Sequence, residues 1–137
     1  MKPVVATASL TLDAATHGQS ALVANAAAGM TVTLPSATGT GDEYTIYCGT
    51  TVTSNALVVQ VTTTDIFAGG VSMSTDIGGT NMLTAATSDT ISQNGSTTGG
   101  LAGSWIKVKD IASGVWMLDG FLRTTGTEAT PFSAAVS

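Results

Sequence analysis

Charge is what this sequence has least of. Charged residues make up 9 % of its 137 positions, against roughly 25 % in an average soluble domain. Its four basic residues, Lys2, Lys107, Lys109 and Arg123, are scattered along the chain. Nucleic-acid binding depends on Lys and Arg to neutralise phosphates. DNA and RNA are therefore excluded as direct partners, and anionic membrane surfaces with them. The formal net charge is −5. A surface so poor in ions has little repulsion to hold copies apart. Two readings follow. Neighbouring subunits cover much of the surface, or a Thr/Ser face stays soluble through its hydroxyls. The positive mean hydropathy favours the first.

Cysteine and histidine are almost missing too. The single cysteine, Cys48, rules out an intrachain disulfide. It alternates with Tyr44 and Ile46, which predicts a small buried hydrophobe on one strand face. One Cys and one His leave no transition-metal set. The run Gly39-Thr40-Gly41-Asp42-Glu43 offers oxygens for at most a weak Ca²⁺ site, without the acidic spacing of an EF-hand. Gly99-Gly100-Leu101-Ala102-Gly103 lacks the Lys and following helix of a phosphate-binding loop. No cofactor is expected.

Long apolar runs and helical periodicity are also lacking. No stretch approaches the roughly 20 apolar residues of a membrane span. The start, Met1 to Leu10, lacks the sustained apolar core of a signal peptide, so the protein is expected to be made and used without secretion. The one Ala-rich run, 24–29, is too short for a stable helix. No repeat of 20–50 residues is visible, which argues against a solenoid.

What fills the chain is Thr, Ala and Gly, at 25, 19 and 16 residues. Thr favours strands, and Gly supplies turns. Alternating or apolar runs predict strands over 7–12, 20–23, 30–34, 43–48, 56–61, 65–73, 81–86, 89–92, 104–109 and 115–122. The run 56–61 reads as a central strand buried on both faces. The last two form a hairpin turning at 112–114, with Trp105 and Trp116 expected side by side in the core. Residues 95–103 read as a loop. Such a string of short strands predicts one all-β domain, an antiparallel β-sandwich or jelly roll with irregular N- and C-terminal arms. The expected divisions are 1–12 for the first arm and strand, 13–123 for the sandwich, and 124–137 for the second arm.

Few residues suggest catalysis. Asp13, His17 and Ser20 are the residue types of a hydrolase triad, but triads are defined by geometry, not by closeness in sequence. His17 precedes Gly18 and is expected in an exposed turn. Most of the nine acids fall in predicted turns, where Asp is a normal turn former. The chain is expected not to be an enzyme.

The pattern Thr31-Val32-Thr33-Leu34-Pro35-x-Ala37-x-Gly39-x-Gly41, followed by Tyr44-Thr45-Ile46-Tyr47, Asp89-Thr90-Ile91 to Asn94-Gly95, the Trp105–Trp116 hairpin and Thr130-Pro131-Phe132, resembles the head decoration (capsid-stabilising, cement) proteins of tailed bacteriophages. Similar Leu-Pro-x-Ala-x-Gly strands occur in phage tail-spike and fibre modules. The resemblance covers most of the chain from about Thr16 onward. It implies a homotrimer on three-fold positions of a capsid shell, with itself and the major capsid protein as partners, on the outer surface of the virion. The alternative it leaves is a receptor- or glycan-binding head of a fibre or spike. Lys2, Val4, Val5 and Leu10 in the first arm, and Pro131 and Phe132 in the second, are the residues expected to reach neighbours.

Overall fold

A computed structural model describes residues 2–18, 20–62 and 64–136. Met1 and Ser137, the outermost residues of the two expected arms, lie outside them. The described strands are β1 (Val4–Ala6), β2 (Leu10–Thr11), β3 (Ala21–Ala24), β4 (Met30–Thr33), β5 (Glu43–Cys48), β6 (Leu57–Gln60), β7 (Ile66–Thr75), β8 (Gly78–Leu83), β9 (Thr90–Gln93), β10 (Trp105–Ala112), β11 (Val115–Arg123) and β12 (Phe132–Ser133). One helical turn, α1 (Ala14–His17), lies between β2 and β3.

The fold is all-β and built from two sheets. Sheet A has the order β1-β3-β5-β10-β11-β7-β8, and sheet B the order β12-β9-β6-β4-β2. Their inner faces share one core, with Leu22, Ile46, Val108 and Leu122 from sheet A, and Val32, Val59 and Ile91 from sheet B. The run predicted as a central strand is β6, in the middle of sheet B, but it is fully buried on one face only, with Val58 and Gln60 half-buried on the other.

The sheets are mixed, not antiparallel throughout, and this departs from a jelly roll. The first six strands alternate between the sheets, so each sheet grows by parallel addition: β1, β3 and β5 in one, β2, β4 and β6 in the other. The chain winds as a short two-sheet coil. Val4 pairs with Leu22 and Leu22 with Ile46, steps of 18 and 24 residues. Leu10 pairs with Val32 and Val32 with Val59, steps of 22 and 27. Unequal steps leave no fixed sequence period, which is why the coil escaped a search for repeats. The later strands close the two sheets mostly by antiparallel pairing, although β7 runs parallel to β11.

The expected arms carry three short strands, β1 and β2 in the first and β12 in the second, and are otherwise irregular. β1 is an edge of sheet A, and β2 and β12 are the two edges of sheet B. Leu10, Val32, Val59, Ile91 and Phe132 form one apolar row across sheet B from edge to edge. Stacked apolar side chains on one sheet face are what hold such short strands in place.

The hairpin of β10 and β11 turns at Ser113-Gly114, as expected, with Gly114 at φ 79°. Its two tryptophans are not neighbours. A plain two-residue hairpin would set Trp105 and Trp116 on the same face. A bulge at Ile111 shifts the pairing, so Asp110 faces Trp116 and Trp105 faces Phe121. One inserted residue flips every later side chain to the opposite face. Trp116 lies in the core, 1 % exposed, while Trp105 turns outward.

Candidate functional site

Buried carboxylates organise the end of the molecule where the bulge lies. Asp110 is 2 % exposed. Its carboxylate accepts hydrogen bonds from the N–H groups of Thr38 (3.0 Å) and Gly39 (2.7 Å) and from the Thr40 hydroxyl (3.1 Å). Asp65, also buried, accepts from the Ala37 N–H at 2.7 Å. The backbone adds Gly114 N–H to Ala37 C=O and Gly41 N–H to Asp110 C=O. The Leu-Pro-x-Ala-x-Gly segment is thus tied down through successive N–H groups by two buried acids. Burial pushes the Asp110 pKa up, but the hydrogen bonds from Thr38, Gly39 and Thr40 outweigh it and hold the carboxyl below the ordinary aspartate value. With Asp89, 1 % exposed, three of the nine acids lie in the interior, not in solvated turns. Asp110 uses its oxygens on N–H and O–H donors and so anchors the segment 38–40. Among the described residues no three His, Cys, Asp or Glu gather in a metal-binding group.

The three residues of the triad type do not form a relay. His17 is 6 % exposed, not in an open turn as expected, because α1 folds it inward. Its Nδ1 accepts a hydrogen bond from the Asp13 N–H at 3.0 Å. Asp13 caps the helical turn, accepting from the Thr16 N–H at 2.8 Å. The Ser20 hydroxyl donates to the Lys2 carbonyl at 2.8 Å. Cys48 is buried, its Sγ within 3.2 Å of the Thr50 carbonyl and 3.3 Å of that of Gly100. Burial pushes its thiol pKa up.

The residues expected to reach neighbours lie on different edges. Lys2 and Val5 are exposed, and Val4 is half-buried at β1. Leu10 packs against the core from β2. Pro131 and Phe132 are buried beside β9, far across sheet B from Leu10. Phe132 belongs to this chain's own core.

What the fold does bring together is the outer face of sheet A. Register aligns Val5, Val23, Tyr47, Trp105 and Phe121 in one row over five strands, continuing to Ser72 and Asn81. At about 4.8 Å between strands, the apolar part spans roughly 20 Å. Val5 is 59 % and Tyr47 40 % exposed, and Trp105 and Phe121 are half-buried. The next rows are Thr45–Lys107–Asp119 and Glu43–Lys109–Met117. Lys107 Nζ lies 3.5 Å from Glu43 Oε1. Arg123 completes this face and donates to the Ala102 carbonyl. The basic residues are thus not scattered in space, since three of the four share one sheet face with Glu43 and Asp119 among them. Three shallow depressions of about 460, 310 and 210 Å³ meet at Glu43.

Sequence reasoning missed this row, apart from Val5, because the bulge decides which tryptophan faces out. The fold and this face define a two-sheet β protein with one outer face rich in aromatic side chains. No protein-family model matches the chain, and no curated protein or solved structure matches it.

Proposed function

We propose that this chain is a structural virion protein that decorates and stabilises a bacteriophage capsid, as a homotrimer at three-fold positions of the shell. Its partners are copies of itself and the major capsid protein, on the outer capsid surface after assembly in the host cytoplasm. The role needs no catalysis and no cofactor, and neither nucleic acid nor membrane takes part. The observation that carries it is the outer row Val5–Val23–Tyr47–Trp105–Phe121, with Met117 and Arg123 nearby. Aromatics, Met and Arg are the types enriched at protein interfaces. An exposed apolar band of this kind marks an association site. The scarcity of charge fits the same reading, and the phage assignment rests on the sequence resemblance.

The test mixes purified chain with shells of the encoding phage stripped of this protein, then sediments them. Tyr47→Ala with Trp105→Ala is expected to lower bound protein by at least about tenfold, as loss of interface anchors does. Emission from buried Trp116 reports that the fold is kept. Wild-type chain that never sediments with shells, or variant chain that sediments equally, overturns the proposal.

A receptor- or glycan-binding head is the second reading. Three in-register rings facing solvent favour it, because each offers a flat apolar surface with a polarised face. Binding on a glycan array, lost in the same variant, by a chain that ignores shells would select it.

A further inference from the structure

Of the four sheet edges described, three are blunted. β2 and β12 have two residues each, and β1 has three, preceded by Pro3 and Lys2. Short strands, Pro and Lys are how proteins keep edges from pairing. The fourth edge, β8, has six residues, and no charge or proline occurs from Ile77 to Leu83. Two large apolar side chains stand in solvent at its ends, Ile77 just before it at 92 % and Leu83, its last residue, at 77 % exposure.

We propose that β8 pairs with β8 of a second copy of this chain, antiparallel across a two-fold axis at Thr80. The register follows from the strand itself. The Thr84 N–H bonds to the Gly69 carbonyl of the neighbouring segment. Alternation then turns the N–H and C=O groups of Gly79, Asn81 and Leu83 away from β7. A two-fold antiparallel pair must set some residue opposite itself. Centring on Thr80 places Gly79 opposite Asn81 of the second copy, where both can exchange hydrogen bonds, and the symmetry repeats the pair. Gly78 then faces Met82, and Ile77 faces Leu83, at each end. The two most exposed large apolar side chains among the described residues cover each other twice. Asp76 falls opposite Thr84, so no like charges meet. This contact is separate from the outer face of sheet A, and on a shell it would link neighbouring trimers.

Sedimentation equilibrium of the full chain tests it. Wild type is expected to show a reversible step to twice the mass of the lone chain or, from a trimer with three such edges, to twice the trimer mass and beyond. Ile77→Lys with Leu83→Lys sets like charges opposite each other and is expected to weaken that step by at least about tenfold. Ile77→Lys with Leu83→Glu sets opposite charges together and is expected to restore it. Both positions are solvent-exposed, so the fold is kept in each variant. Thr80→Cys should cross-link the pair under mild oxidation, because directly opposed residues of this kind lie about 4.5 Å apart between Cα atoms, inside disulfide reach. Asn81→Cys, displaced from the axis, should cross-link far less. A species that never doubles, equal effects of the two charge variants, or equal cross-linking at 80 and 81 overturns the proposal. Shell binding that survives the Lys/Lys variant leaves the decoration reading standing on its own.

Discussion

Asp110 is a buried anchor for the segment 38–40. Its carboxylate satisfies the N–H groups of Thr38 and Gly39 and the Thr40 hydroxyl in a nearly dry site. Asp110→Asn removes the charge and turns an amide N–H₂ toward donors. A loss of about 2 kcal/mol is expected from hydrogen bonds to a charged group, read by urea unfolding. The pH dependence has a definite sign. The folded pKa is depressed, so the stabilisation is present above the unfolded value and is lost as pH falls through the folded one. Wild type should therefore lose stability below about pH 4, and Asp110→Asn should lose less over that range. Equal acid sensitivity of the two would contradict the assignment. Cys48 gives a second check at this scale. Its thiol is buried and its pKa raised, so a thiol reagent at neutral pH should label it only as the protein unfolds. Rapid labelling of native protein would place it at the surface.

Among the elements, β5 is the most legible: its residues alternate, and its bounds match the sequence pattern residue for residue. β7 is the opposite case. It is the longest strand, at ten residues, yet Gly69-Gly70 interrupts its pattern. Gly69 sits at φ 145°, and a Cβ there would lie 2.1 Å from the Leu118 carbonyl oxygen. The glycine permits close approach of β11, and that reason is invisible without the pairing. Gly69→Val is expected to cost about 2 kcal/mol or more. Gly78→Ala, where a Cβ meets nothing within 4 Å, should stay within about 0.5 kcal/mol of wild type. Equal melting of the two variants would refute this. The β10–β11 hairpin shows the same limit from another side. Its strands and turn were legible, but the bulge at Ile111 was not, and the bulge decides that Trp105 faces solvent and Trp116 the core. A bulge adjoining a buried Asp is specified by the partners of that Asp, which lie some 70 residues away in sequence.

For the whole molecule, strand composition foretold the all-β class and one shared core. It did not foretell the coil of the first six strands, because parallel pairing is a contact between residues 18 to 27 apart with no local signature. Nor did it place three of the four cations on one sheet face. The scarcity of charge was legible, but which face carries the apolar row was not, because register decides it. No helix among the described residues is long and apolar enough to cross a membrane. The most direct test is hydroxyl-radical footprinting of the chain free and bound to shells. Tyr47, Trp105 and Phe121 are predicted to lose most of their reactivity on binding, with Trp116 unreactive in both states. Unchanged reactivity of Tyr47 and Trp105 in chain that is demonstrably bound would contradict the account.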